Sequence, residues 1–180
     1  MARKVVGVGS VGTRAWVVLM LGVDGDDPLV LQVKEAGKSV LEPYAGKSRF
    51  ANAGQRVVEG QRLMQATSDI LLGWSRGIAV EGVARDFYVR QLWDWKFSTD
   101  LERASAATLA VNGQACGWTL ARAHARSGDR VALAAYLGRS AAFDDAMTEF
   151  AEAYADQNER DYAALVAAAR AGKIEVETGI

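Results

Sequence analysis

The sequence predicts an α+β fold: a small lobe made of a five-stranded antiparallel sheet with one helix, followed by the helical part of an incomplete larger lobe. Three observations predict it. Twelve of the 18 glycines, both prolines and four of the five tryptophans fall within residues 1–100, whereas 23 of the 32 alanines fall after it, so strands and turns belong to the first half and helices to the second. Runs of β-branched and aliphatic residues recur in the first half, broken by Gly and Asp. In the second half apolar residues repeat at three- and four-residue spacing. The lobes are expected to divide at 1–92 and 93–180.

Lys4–Val8, Ala15–Leu21 and Leu29–Val33 read as three successive strands, with Gly25 and its Asp neighbours turning the chain between the last two. Gln55–Ala66 lacks strand alternation and sets Val57, Gln61 and Met64 on one stripe behind Asn52 and Gly54, which predicts a helix of about three turns. Ile70–Trp74 and Phe87–Leu92 read as two more strands around a turn at Gly77–Arg85, giving β-β-β-α-β-β. Beyond residue 100, Leu109, Cys116, Leu120 and His124 share one helical face that stops at Ser127-Gly128-Asp129. Phe143, Met147, Phe150 and Tyr154 repeat at four, three and four residues, and Tyr162, Leu165, Val166 and Ala169 continue that helix to Gly172. The tail Ile174–Ile180 is expected to be a short strand or disordered.

Composition excludes several classes of function. The 21 Lys+Arg against 22 Asp+Glu give a net charge of -1, with no global attraction for nucleic acid. Cys116 is the single cysteine and His124 the single histidine, so an internal disulfide, a cysteine-rich zinc site and a His-rich metal centre are all out of reach. Cys116 reads as a small packed residue, and His124 as a packed or capping one. The longest apolar run, Ala15–Val23, is far short of the about 20 residues needed to span a bilayer, and Arg14 interrupts the start before a signal-peptide core can form. A soluble, cytoplasmic protein with no membrane partner is expected.

Gly7-Val8-Gly9-Ser10-Val11-Gly12 is a G-x-G-x-x-G. In a dinucleotide-binding crossover a helix follows the third glycine. Here Ala15–Leu21 follows, a run with no polar helical face, so the loop joins two strands. A glycine-rich hairpin lets backbone N–H groups approach phosphate oxygens, as in kinases, although such a hairpin also occurs with no ligand. The next strand ends Leu31-Gln32-Val33-Lys34, resembling the kinase strand whose lysine contacts nucleotide phosphates and pairs with a glutamate of the following helix. Glu59 is the one acidic residue of that helix here. The competing readings are a solvated strand-end Lys34 and a Glu59 paired with Arg62 at i+3. Where a kinase-like chain passes between lobes lie Gln91, whose neighbourhood offers backbone groups to an adenine edge, and Asp94, placed to accept a ribose hydroxyl. An ordinary strand end with a capping Asp is the alternative there. Trp93, Trp95 and Lys96 form an aromatic-basic cluster, with the tryptophans read first as core. No catalytic-loop motif with its Asp and Asn is present. Asp86-Phe87-Tyr88 lacks the glycine of Asp-Phe-Gly, and Ser127-Gly128-Asp129-Arg130 has no Asn at catalytic-loop spacing.

The blocks Lys4–Arg14, Leu31–Ala36, Gly54–Arg62 and Leu120–Ala125 resemble the bacterial domain-of-unknown-function family 2252. The resemblance implies kinship with protein kinases, in the style of aminoglycoside phosphotransferases. It implies ATP as cofactor, with Gly7, Gly9 and Gly12 at the phosphates, Lys34 against their charge and Glu59 orienting Lys34; Ser10, inside the same glycine motif, is a further candidate for the phosphates. It also implies that a Gly-Asp-x-His block and an Asp-Phe-Asp segment, needed to hold Mg2+, precede the glycine loop, so that this chain is the C-terminal part only. The acceptor substrate is unspecified, and self-association through uncovered helical surface is expected.

Overall fold

A computed structural model of the chain describes residues 1–3, 12–78, 82–93 and 99–176. Its first strand, β1 (Ala2–Arg3), pairs antiparallel with β2 (Ala15–Leu21), and β2 with β3 (Pro28–Ala36). The β2–β3 turn closes where the Gly22 N–H donates to the Asp27 carbonyl at 3.0 Å. A short helix, α1 (Glu42–Ala45), starts with Pro43 in its first turn. Helix α2 (Ala53–Met64) begins at Asn52, whose side chain accepts the Gln55 N–H at 2.9 Å. Strands β4 (Gly73–Ile78) and β5 (Ala84–Gln91) complete an antiparallel sheet of order β1-β2-β3-β5-β4. The α+β class and the five antiparallel strands follow the sequence expectation. The expected strand Lys4–Val8 lies outside the described residues.

The fourth strand departs from expectation. Ile70–Leu72 is a turn and not a strand, because Asp69 holds it: its side chain accepts the Leu71 N–H at 2.8 Å and its carbonyl the Leu72 N–H at 3.1 Å. The strand therefore starts at Gly73 and runs through Gly77, where the sequence suggested a turn. A Cβ at Gly77 would stand 2.6 Å from Cε2 of Phe87, so the bare backbone makes room for that ring to lie across β4.

Among the described residues the buried apolar side chains are Ala15, Ala36, Val58, Leu72, Phe87 and Ala123, and Gln32 is buried with them. Trp16 meets Phe87 edge-on at 5.4 Å. Helix α2 reaches β5 so closely at Gly54 that a Cβ there would sit 2.7 Å from the Phe87 carbonyl carbon. This approach sets the helix rotation. Gly54 and Val58 face the sheet, while Met64 of the expected inward stripe is 48% exposed.

Helix α3 (Ala106–Ser127) is capped by Ser105, which accepts the Thr108 N–H at 3.2 Å, and stops at Gly128 as expected. It lies against α2, where Nε of Arg126 donates to the Leu63 carbonyl at 3.1 Å. Only Ala123 of α3 is buried. Cys116, read as packed, is exposed, and so is His124, read as packed or capping, which stands in the last turn of α3; Trp93 and Trp118 are exposed too, and α3 is covered along one narrow side among the described residues. Trp95 lies outside them.

Two compact units divide the chain, Met1–Arg130 and Val131–Ile180. The expected lobe boundary at 92/93 falls inside the first, which includes α3. Two helices follow, α4 (Arg130–Leu137), unforeseen as a separate element, and α5 (Ala142–Arg170). Tyr136 and Phe143 meet edge-on at 6.4 Å across their junction. Helix α5 ends at Gly172, which takes φ +67. Its spacing is as expected, but no α5 residue is buried: Phe143, Met147, Phe150 and Tyr154 are 41–58% exposed. The described part of the tail holds no strand.

Candidate functional site

Residues directly opposite in an antiparallel pair share a face. Lys34 lies opposite Ala15 on β2 and Tyr88 on β5, and Tyr88 lies opposite Trp74 on β4. Gln32 and Arg90, a pair further along β3 and β5, are on this same face, with Nε of Arg90 donating to the buried Gln32 side chain at 3.1 Å. So is Asp86, which binds the start of α2: its carboxylate accepts the Ala53 N–H at 2.7 Å and the Asn52 side-chain amide at 3.0 Å. Helix α2 therefore packs on the face that carries Lys34. The strand alternation that exposed Lys34 in the sequence and the cap at Asn52 together produce this placement.

Burial pushes the Tyr88 hydroxyl pKa up, against a smaller opposing pull from Arg90. A neutral phenol thus sits directly beside Lys34 in the sheet, a neighbour that spacing did not single out. On the opposite face, Glu35 receives Arg85 at 2.7 Å and Arg14 at 3.4 Å, along with the Arg14 backbone N–H at 3.1 Å. Desolvation raises the Glu35 pKa, but the hydrogen bonds and charge of Arg85, with those of Arg14, outweigh it and hold the carboxyl below its ordinary value. This clamp ties the entry of β2 to β3 and β5.

The other expected site residues separate. Gly12 is in the left-handed turn just before β2, at φ +77, and β2 follows as a strand, which removes the dinucleotide-crossover reading. Gly7, Gly9, Ser10 and Asp94 lie outside the described residues. Glu59 is on α2, with its ion pair to Arg62 at 3.5 Å and not to Lys34. Arg62 also donates to the Leu72 carbonyl at 2.7 Å and stands over the Trp74 ring, so it links α2 to the start of β4. Gln91 ends β5, and its backbone N–H is taken by the Asp69 carboxylate at 2.6 Å. Asp69 had no signal in the sequence beyond its turn propensity. Among the described residues, no group of three or more His, Cys, Asp or Glu side chains is placed to hold a metal ion, and no helix is long and apolar enough to cross a membrane.

No curated protein and no solved structure matches the chain. The family model described as an uncharacterized protein conserved in bacteria (DUF2252) matches residues 1–168, nearly the whole chain. The chain belongs to this bacterial family, DUF2252.

Proposed function

We propose that the chain is the nucleotide-binding portion of a kinase-like phosphotransferase that uses ATP. One observation supports the reading: a lysine on β3 lies on the sheet face that α2 covers, in an antiparallel lobe whose sequence carries a G-x-G-x-x-G ahead of β2. In this reading Gly7, Gly9, Ser10 and Gly12 cover the phosphates with backbone N–H groups, and Lys34 neutralises their charge. Gln91 and Asp94 border the nucleoside. Glu59 orients Lys34 in this reading only after releasing Arg62. ATP would supply the phosphoryl group. In this proposal the carboxylates that hold Mg2+ come from segments outside this chain, and the chain alone transfers nothing.

A noncatalytic kinase-like binding or scaffold module is the second reading, favoured by the Glu59–Arg62 pair. Titration calorimetry with ATP and Mg2+ separates the two. Lys34→Ala should weaken binding by about ten- to a hundredfold, the loss of one charge-assisted hydrogen bond, Gly9→Val should weaken it as well, and Glu59→Ala should cost less than Lys34→Ala. Binding that is absent, or unchanged in Lys34→Ala and Gly9→Val, leaves the scaffold reading. ATP turnover by the chain alone, lost on Lys34→Met, would contradict the division of labour.

A further inference from the structure

We propose that a groove at the end of the sheet, between the end of β3, the start of β5 and the first turn of α2, binds a small multiply charged anion of the phosphate or polyphosphate class. The groove encloses about 780 Å³, ample for such a group. Lys34, Gly12 and Glu59 do not line it, so the inference stands apart from the nucleotide reading.

Charge bookkeeping within the groove gives the argument. Five cations line it, Lys38, Lys47, Arg56, Arg76 and Arg85, with three carboxylates, Glu35, Glu42 and Asp86. Two carboxylates are already satisfied. Glu35 is held by Arg85 at 2.7 Å and by Arg14 from outside the groove. Asp86 is held by Arg76 at 3.5 Å, by the Asn52 amide and by the Ala53 N–H. Setting these pairs aside leaves Lys38, Lys47 and Arg56 facing Glu42 alone, a surplus of two positive charges in a concave site. Neither lysine has an ion pair among the described residues.

Two further features suit an anion. Nη2 of Arg56 donates to the Gly37 carbonyl at 3.0 Å, which anchors the guanidinium at the exit of β3 while its other N–H groups remain to donate. The Ser48 oxygen accepts the Phe50 N–H at 3.1 Å, leaving its own hydrogen to give. The N–H groups of Ala53 and Gln55 are already taken by Asp86 and Asn52, so side-chain cations and not the helix end would provide the attraction. Like charges gathered in a concave surface raise the local concentration of an opposite ion, an effect that salt weakens.

Calorimetry on the full chain tests this with pyrophosphate as the probe, using the wild type, the Lys38→Gln/Lys47→Gln double variant and Lys34→Ala. Both groove lysines are exposed, so the double variant should keep the wild-type urea midpoint. The expected result is saturable binding that weakens with added NaCl and falls about tenfold or more in the double variant, whereas Lys34→Ala, which removes the lysine proposed for the nucleotide phosphates, keeps a saturable component at the groove. No saturable binding up to about 10 mM, or equal binding by the double variant, overturns the site. Loss confined to Lys34→Ala also overturns it, and assigns the probe to the face proposed for nucleotide instead.

Discussion

Replacing Gly54 by alanine should destabilise the protein, although alanine is the better helix former. Intrinsic propensity alone predicts a gain of at most about 1 kcal/mol in α2. The tertiary contact predicts the reverse. A Cβ at residue 54 would stand 2.7 Å from the Phe87 carbonyl carbon and closer still to its oxygen, against backbone that cannot rotate away. Restoring ordinary contact requires the first turn of α2 to withdraw from β5 by roughly an ångström, a strain that in packed interiors costs about 1–3 kcal/mol. The same withdrawal stretches the hydrogen bonds from the Ala53 N–H and the Asn52 amide to Asp86, now 2.7 and 3.0 Å long. Hydrogen bonds to a charged acceptor contribute about 1.5–3 kcal/mol each, so losing one adds a comparable cost. Net of the propensity gain, the loss comes to about 1.5–5 kcal/mol.

Gly60 supplies the control. It lies in the same helix, and a Cβ there meets nothing within 4 Å, so Gly60→Ala should gain up to about 1 kcal/mol. Urea unfolding followed by circular dichroism reads both variants. With a urea dependence of about 1–3 kcal/mol per molar, Gly54→Ala should move the midpoint down by about 1 M or more and Gly60→Ala slightly up. A Gly54→Ala midpoint at or above the wild type would refute the packing of α2 on β5. A fall in both variants would refute the assignment of residues 53–64 as a helix packed on one side.

Three more outcomes are expected. Because the Glu35 carboxyl is held below its ordinary value of 4.5 in the folded chain, its contribution is complete above that pH and lost as the pH falls through the folded value; Glu35→Gln should flatten this acid loss and cost about 1–3 kcal/mol at neutral pH, measured by urea midpoints against pH. Tyr88 has the opposite sign: its pKa is raised from 10.0, so above that pH the unfolded chain ionises first and stability falls, and Tyr88→Phe should remove that part of the fall in midpoints taken between about pH 9 and 11. Helix α5 should pair with a second copy, antiparallel, since residues 142–156 carry five acidic and no basic side chains whereas 157–173 carry Arg160, Arg170 and Lys173 against Glu159 and Asp161; light scattering across a concentration series should show association that Phe150→Glu weakens, and a wild type that stays monomeric would refute it.

What the sequence made legible follows from how far apart the partners lie. The strand Ala15–Leu21 matched residue for residue because a β-branched run carries its own signal, and α2 and α3 were found because Asn52 and Gly128 act within a turn of the helix they bound. The arginine partner of Glu59 at i+3 was visible for the same reason. Strand β4 was misplaced because the role of Gly77 is defined by the Phe87 ring on another strand, and a lone glycine reads as a turn until that ring is known. Glu35 meets Arg85 across 50 residues and Asp86 meets Ala53 across 33, distances over which no periodicity operates. Those two carboxylates shape the candidate sites more than any motif residue does. Asp86 fixes α2 over the face of Lys34, and because the pair is held by Arg76 and Arg85, the remaining groove cations face Glu42 alone. A motif search centred on the glycine loop would examine Lys34 and Glu59, yet the position of α2 depends on Asp86, so Asp86→Ala should disturb the Lys34 face as surely as a change to Lys34 itself.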